Sequence, residues 1–249
     1  MKHLLSFLLL LLVLPALAQT QNEGVVSYER TTNWVKLINR LTFLSKEEKD
    51  RAAQTWKNDS DHKEKMKLVF NADKSLYTWE SDRAESEDGS WSWRQQDLVM
   101  YRDFAANRKT DIVEMLTKVY VIEDSLRTPT WKIMNQLKDI AGHVCMKAVT
   151  EDTVKNQKIT AWFSQDLALS MGPEQYFGLP GMIMELDINE GDVVITATKV
   201  EYKPVEKELA LPKKIKGKKI NDTQYDQLIS THIRDSMKAY RNPYWSIRY

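Results

Sequence analysis

Apolar and polar residues alternate along most of this chain with a period of two, which places successive side chains on opposite faces of a strand. Residues 24–30 set Val26 and Tyr28 against Ser27 and Glu29 and predict a first strand. From Met66 onward, short apolar or alternating runs follow one another at 66–71, 75–80, 97–102, 111–116, 118–123 and 131–134, separated by polar turns. Residues 85–89 read as an acidic turn, and residues 58–65 as a polar loop. Residues 142–150 and 158–164 alternate again, and 182–188, a turn at 189–192 and 193–202 form the clearest hairpin. Strands that follow one another without intervening helices predict an antiparallel sheet rather than an α/β fold.

Helical periodicity interrupts this texture twice. Ser45-Lys46-Glu47-Glu48 has the form of a capping box, with a polar helix reaching about Lys57. Asp222 is positioned to cap a last helix running to about Tyr240, with Tyr225, Leu228, Ile229, Ile233 and Met237 on one side. Before it lies a lysine-rich linker at 213–219, and after it an aromatic, basic tail at 241–249.

One turn stands out. In the run from Gly172 to Leu186, Pro180 suits the second position of a type II turn and Gly181 supplies the positive φ of the third. Leu179 precedes a proline and is pushed to extended geometry. Gly178, Leu179, Pro180 and Gly181 are a structural motif that feeds a strand, with Met182, Met184, Leu186 and Ile188 on one of its faces.

The N-terminus has the layout of a secretory signal peptide. Lys2 and His3 precede an apolar core at 4–14, and Ala16-Leu17-Ala18 is a small-residue cleavage site. The reading is therefore a leader at 1–18 followed by one domain at 19–249, of which 214–249 is the linker and last helix. The apolar core is too short for a comfortable span and no other stretch is apolar enough, so a periplasmic or secreted protein without a transmembrane segment is expected. Removing the leader takes away Lys2 and no acid, which leaves a chain of zero formal charge. That balance argues against a nucleic-acid partner. With Cys145 the only cysteine, no intramolecular disulfide forms and stability rests on a packed core, for which eight Trp, ten Tyr and six Phe provide material.

The stretch 138–202 resembles the GLPGLI family of secreted bacterial proteins. The residues that carry the likeness are 140–148 (Ile-Ala-Gly-His-Val-Cys-Met-Lys-Ala), Trp162-Phe163, Gly172-Pro173 and 178–183 (Gly-Leu-Pro-Gly-Met-Ile), in order and at matching spacing. Met182 stands where the motif usually has Leu, a swap of similar volume. The resemblance implies a largely uncharacterised protein of a Gram-negative envelope, from a family often encoded near TonB-dependent receptors. It also implies a fold similar to the open, curved antiparallel barrels of periplasmic lipoprotein carriers. That likeness is one of fold and does not by itself assign a function.

Few residues suggest chemistry. His143 and Cys145 lie two apart on one strand and point the same way, a pair that with a nearby Met suits a soft metal such as Cu(I). A lone cysteine on a strand equally serves as a small core residue. Glu185 and Asp187 share a strand face, as acids facing water do in ordinary alternation. No nucleophile elbow, zinc-protease helix or phosphate-binding glycine loop occurs. The face of Met182, Met184 and Leu186, with Trp162 as a neighbour, is either the lining of an apolar-ligand cavity or the packed core of the sheet.

The sequence thus predicts a mainly β fold, a curved antiparallel sheet or open barrel with a C-terminal helix. Function is expected to be non-enzymatic and cofactor-free: a binding or accessory protein for outer-membrane transport, partnered by an outer-membrane receptor or an apolar ligand. Periplasmic metal handling through His143 and Cys145 is the alternative.

Overall fold

Twelve strands build one open, curved sheet in the computed structural model, which describes residues 22–57, 61–85, 89–211 and 215–249. The signal-peptide reading, with its leader at 1–18, lies outside the described residues, as do Lys213 and Lys214 of the expected linker. Strand β1 (Gly24–Asn33) sits at the centre. On one side of it lie β13 (Val193–Tyr202), β12 (Met182–Ile188), β11 (Gln157–Ser164), β10 (His143–Asp152) and β9 (Lys132–Ile140). On the other side lie β2 (Asp61–Phe70), β3 (Lys74–Trp79), β6 (Leu98–Asp103), β7 (Arg108–Met115), β8 (Lys118–Ser125) and β14 (Lys218–Ile220). A separate small hairpin, β4 (Arg83–Glu85) with β5 (Ser92–Arg94), projects between β3 and β6.

The mainly β architecture with a C-terminal helix follows the alternation read from the sequence. Three elements depart from it. Residues 61–65, expected in a loop, extend β2 and pair with β1 from Asn33 to Glu29, because Glu64 turns inward to meet Arg30. Residues 218–220 of the lysine-rich segment form β14, which runs parallel to β8, the one parallel pair in an otherwise antiparallel sheet. Gly217 makes that approach possible: at φ +154°, a Cβ there would lie 3.0 Å from the Val119 carbonyl oxygen. A short helix, α1 (Trp34–Asn39), continues directly from β1 and carries Leu37 and Ile38 into the interior.

Local capping explains the other helices. In α2 (Lys46–Thr55) the Ser45 hydroxyl accepts from the Glu48 amide at 3.2 Å, and the Glu48 carboxylate accepts from the Ser45 amide at 2.8 Å. The last helix, α3 (Asp222–Lys238), is capped by Asn221 rather than Asp222, through a reciprocal box with Gln224. Asp222 is instead buried as an ion partner of Lys109 at 2.5 Å and Arg127 at 3.3 Å.

The inner face of the sheet holds the main core. Tyr28, Met66, Phe163, Met182, Met184 and Leu186 are fully or nearly fully buried in that core, the Met, Phe and Leu side chains contributing roughly 1.5–3 kcal/mol each. A register shift in β12 pairs Phe163 with Ile183, which breaks the single face expected for Met182, Met184 and Leu186. The Tyr28 hydroxyl donates to the Ile183 carbonyl at the start of β12 at 2.6 Å, and the β11–β12 loop is drawn in by Trp131, whose indole donates to the Phe177 carbonyl at 2.9 Å.

The Leu179-Pro180-Gly181 turn is tighter than a type II turn. The Gly181 amide bonds the Leu179 carbonyl at 2.8 Å, and the Met182 amide goes to Leu167 at 2.9 Å, which closes a three-residue turn on Pro180. Glycine is needed at 181 for two reasons: φ is +153°, and a Cβ would sit 2.1 Å from the Ser164 carbonyl oxygen.

Candidate functional site

A half-open cavity of about 600 Å³ lies between one end of the inner face and the C-terminal tail. Strand β1 contributes Arg30 and Thr32, β2 contributes His62 and Glu64, and β3 contributes Trp79. These inward positions follow from alternation: Tyr28, Arg30 and Thr32 share a face, as do Glu64 and Met66.

The floor of the cavity is ionic. The Arg30 guanidinium donates to Glu64 Oε2 and Thr32 Oγ1, both at 2.7 Å, and its Nε lies 3.7 Å from Glu174 Oε1. Arg248 forks onto Glu174 Oε1 through Nη2 at 2.6 Å and Nε at 3.0 Å, and its guanidinium stacks 5.3 Å from the Trp79 ring. Lys155 donates to the Arg248 carbonyl at 2.8 Å. Two guanidiniums therefore meet two carboxylates inside the protein.

Burial opposes ionisation of Glu174, but Arg248, Arg30 and Lys155 outweigh it and hold the carboxyl below its usual pKa. Burial, reinforced by the Arg248 charge, lowers the Arg30 pKa. Desolvation, with Glu174 adding to it, pushes the buried Tyr77 phenol well above its usual value. The Tyr77 hydroxyl and Arg30 Nε are buried without a hydrogen-bond partner.

The opposite wall is the tail, and it is firmly tied. The Leu116 amide donates to the Ser246 carbonyl at 2.9 Å, and His232 Nε2 lies 3.0 Å from the Pro243 carbonyl. The Tyr249 hydroxyl donates to Asp192 at 2.6 Å and accepts from Asn189 at 2.7 Å. Asp192 also pairs with Arg40. Tyr244 packs edge-on against Tyr249 with ring centroids 4.8 Å apart.

The β7–β8 link completes the rim and is strained. Leu116 and Thr117 have φ of 51° and 63°, as a two-residue primed hairpin turn requires, although neither is a residue that favours that region. Thr117→Gly is expected to stabilise the fold by about 1 kcal/mol, read as a higher urea midpoint at unchanged slope.

Sequence-predicted residues lie elsewhere. Met182, Met184 and Leu186 are solid core, fully buried, and Trp162 lies on the opposite face across from Glu185, beneath Lys138 and Lys147 at 5.6 and 5.9 Å. The structure does not bring the four together as one wall. Glu185 does not face water either: Lys138 donates to both its oxygens at 2.7 Å and Thr196 at 3.1 Å. Asp187 accepts from the Gly191 amide at 2.6 Å within the hairpin turn.

His143 Nδ1 stands 3.9 Å from Asp166, whereas Cys145 is fully buried and its thiol bonds the His143 carbonyl at 3.4 Å. Burial, with Asp139 and Glu185 adding to it, pushes the Cys145 thiol up to about 11. Among the described residues no group of three or more His, Cys, Asp or Glu is placed to hold a metal ion. Cys145 is expected to resist alkylation at neutral pH in the folded protein and to react at once in denaturant, measured by mass shift.

Residues 149–185 match the model of a protein family of unknown function (Porph_ging). The matched segment runs from β10 through β11 and the loop carrying Glu174 and the Gly181 turn into β12. No curated protein matches the chain. Among solved structures, two of PNGF-II are similar, with TM-scores of 0.56 and 0.53 at 15% identity. Each likeness covers 83% of this chain, but the chain spans only about a third of PNGF-II (33% and 32%). At that identity the likeness shows the fold alone. No described helix is long and apolar enough to cross a membrane.

Sequence reasoning missed the rim cavity. Arg30, Glu64, Glu174 and Arg248 are scattered over the length of the chain, and none belongs to a recognisable motif. A usable signal was Arg30 on the apolar face of β1, in line with Val26 and Tyr28.

Proposed function

We propose that this chain is an exported, non-enzymatic binding protein of a Gram-negative cell envelope, of the GLPGLI type, serving as an accessory to outer-membrane transport. The rim cavity carries the reading. Its walls are preorganised by ion pairs and by the bonded tail, and its volume falls in the range of small-ligand sites. His62 Nε2 and Glu64 Oε1 are 3.9 Å apart, and Glu64 is already committed to Arg30, so the pair is arranged for binding rather than proton transfer.

The apolar-carrier version loses its wall, because the Met182, Met184 and Leu186 face is filled by its own packing. The test is native mass spectrometry of protein purified gently from its host's envelope. A bound adduct lost on unfolding is expected; a bare mass in repeated preparations contradicts the reading.

A further inference from the structure

Three classes of ligand can be weighed against the rim cavity by the chemistry of its wall. An anion needs an uncommitted cation, but Arg30 is matched by Glu64 and Arg248 by Glu174. A cation needs an uncommitted carboxylate, but Asp97 and Glu114 both pair with Arg94, at 2.5 and 3.1 Å. An extended apolar chain needs a dry wall, and this one presents His62, Gln96 and Thr117 beside the ion pairs. What remains is a neutral ligand with many hydrogen-bonding groups and a flat apolar face.

The aromatic side chains supply the partner for that face. Trp34 opens α1 at one side of the cavity, and Tyr244 and Trp245 stand on the tail opposite. Trp245 is 67% exposed, although a large apolar ring gains by being covered. A pyranose ring combines hydroxyls at its edge with an apolar C–H face, which suits an indole. A peptide fits less well. The strands that line the cavity (β1, β2, β3, β6 and β7) are paired on both edges and offer no free backbone for an added strand. Arg30, more than nine-tenths buried and with Nε unpartnered, marks this floor as kept polar at a cost.

We infer that the rim cavity binds a neutral saccharide, stacked on Trp245 and hydrogen-bonded by Gln96 and the polar wall. The inference rests on the reading of this cavity as the ligand site. It is tested on the full chain by calorimetry and tryptophan fluorescence with neutral tetrasaccharides of glucose, mannose and N-acetylglucosamine. A sulfated tetrasaccharide and an uncharged, end-blocked tetrapeptide are run beside them.

Saturable binding of at least one neutral saccharide is expected, weakened about tenfold by Trp245→Ala. Gln96→Ala, with no ring removed, is expected to weaken it as well, and both variants should keep the wild-type Tm. Three results would each overturn the inference: no neutral saccharide saturating at millimolar concentration, preference for the sulfated or peptide probe, or binding indifferent to both variants. If envelope-purified protein carries an adduct that is not a saccharide, this inference fails and the binding reading stands. If there is neither adduct nor saccharide binding, both fail.

Discussion

Glu174→Ala is expected to lower the unfolding free energy by about 3–5 kcal/mol, the usual cost of stranding buried charge. Glu174 is the shared counter-ion of Arg248, which forks onto it, and of Arg30, whose Nε is 3.7 Å away. Without it, Arg248 loses its carboxylate partner and Arg30 keeps only Glu64. Glu174→Met combined with Arg248→Met removes one charge of each sign and leaves Arg30 with Glu64, so the pair of changes should cost less than Glu174→Ala alone.

The pH dependence has a definite sign. The folded carboxyl titrates below its unfolded value, so its contribution is complete above about pH 4.3 and is lost as pH falls through the folded pKa. Urea midpoints measured from neutral pH down to acid should therefore fall more steeply for wild type than for Glu174→Gln.

Gly181→Ala is expected to cost about 3 kcal/mol or more. Two penalties coincide there: a φ of +153°, where alanine is strained, and a Cβ 2.1 Å from the Ser164 carbonyl oxygen. The obstacle is backbone, so no side-chain rotation relieves it. The loop that would shift, residues 165–181, carries Glu174 midway and leads into β12. Damage at the turn therefore reaches the ionic floor of the cavity. Circular dichroism melts should show a drop in Tm of several degrees. Pro180→Ala leaves the Gly181 contact intact and should cost far less.

These two residues show how much the sequence made legible. Glycine and proline spacing located the turn, because φ preference is a local property. The tighter hydrogen bonding was not legible, since it depends on Leu167 capturing the Met182 amide. Alternation located most strands. It failed at 61–65, where pairing to β1 overrides a polar composition, and at 218–220, where Ile220 finds a place beside β8.

Strict alternation also fails in β10, where Cys145 and Ala148, three apart, are both buried, beside a register shift at Met146/Lys147 that leaves Asn135 and Gln136 of β9 unpaired. The cavity was the least legible feature. Its walls come from β1, β2, β3, β6, β7 and the last six residues, which only tertiary folding brings together.

The polar rim, and not the methionine-lined core, is the proposed binding site. That assignment is tested most directly by native mass spectrometry of three proteins purified in parallel from the host envelope: wild type, Trp245→Ala and Met184→Leu. Met184 is fully buried and Leu is close to it in volume, so that variant keeps the fold while altering the core. An adduct is expected on wild type and Met184→Leu, and much less of it on Trp245→Ala. An adduct retained by Trp245→Ala and lost from Met184→Leu would contradict that assignment.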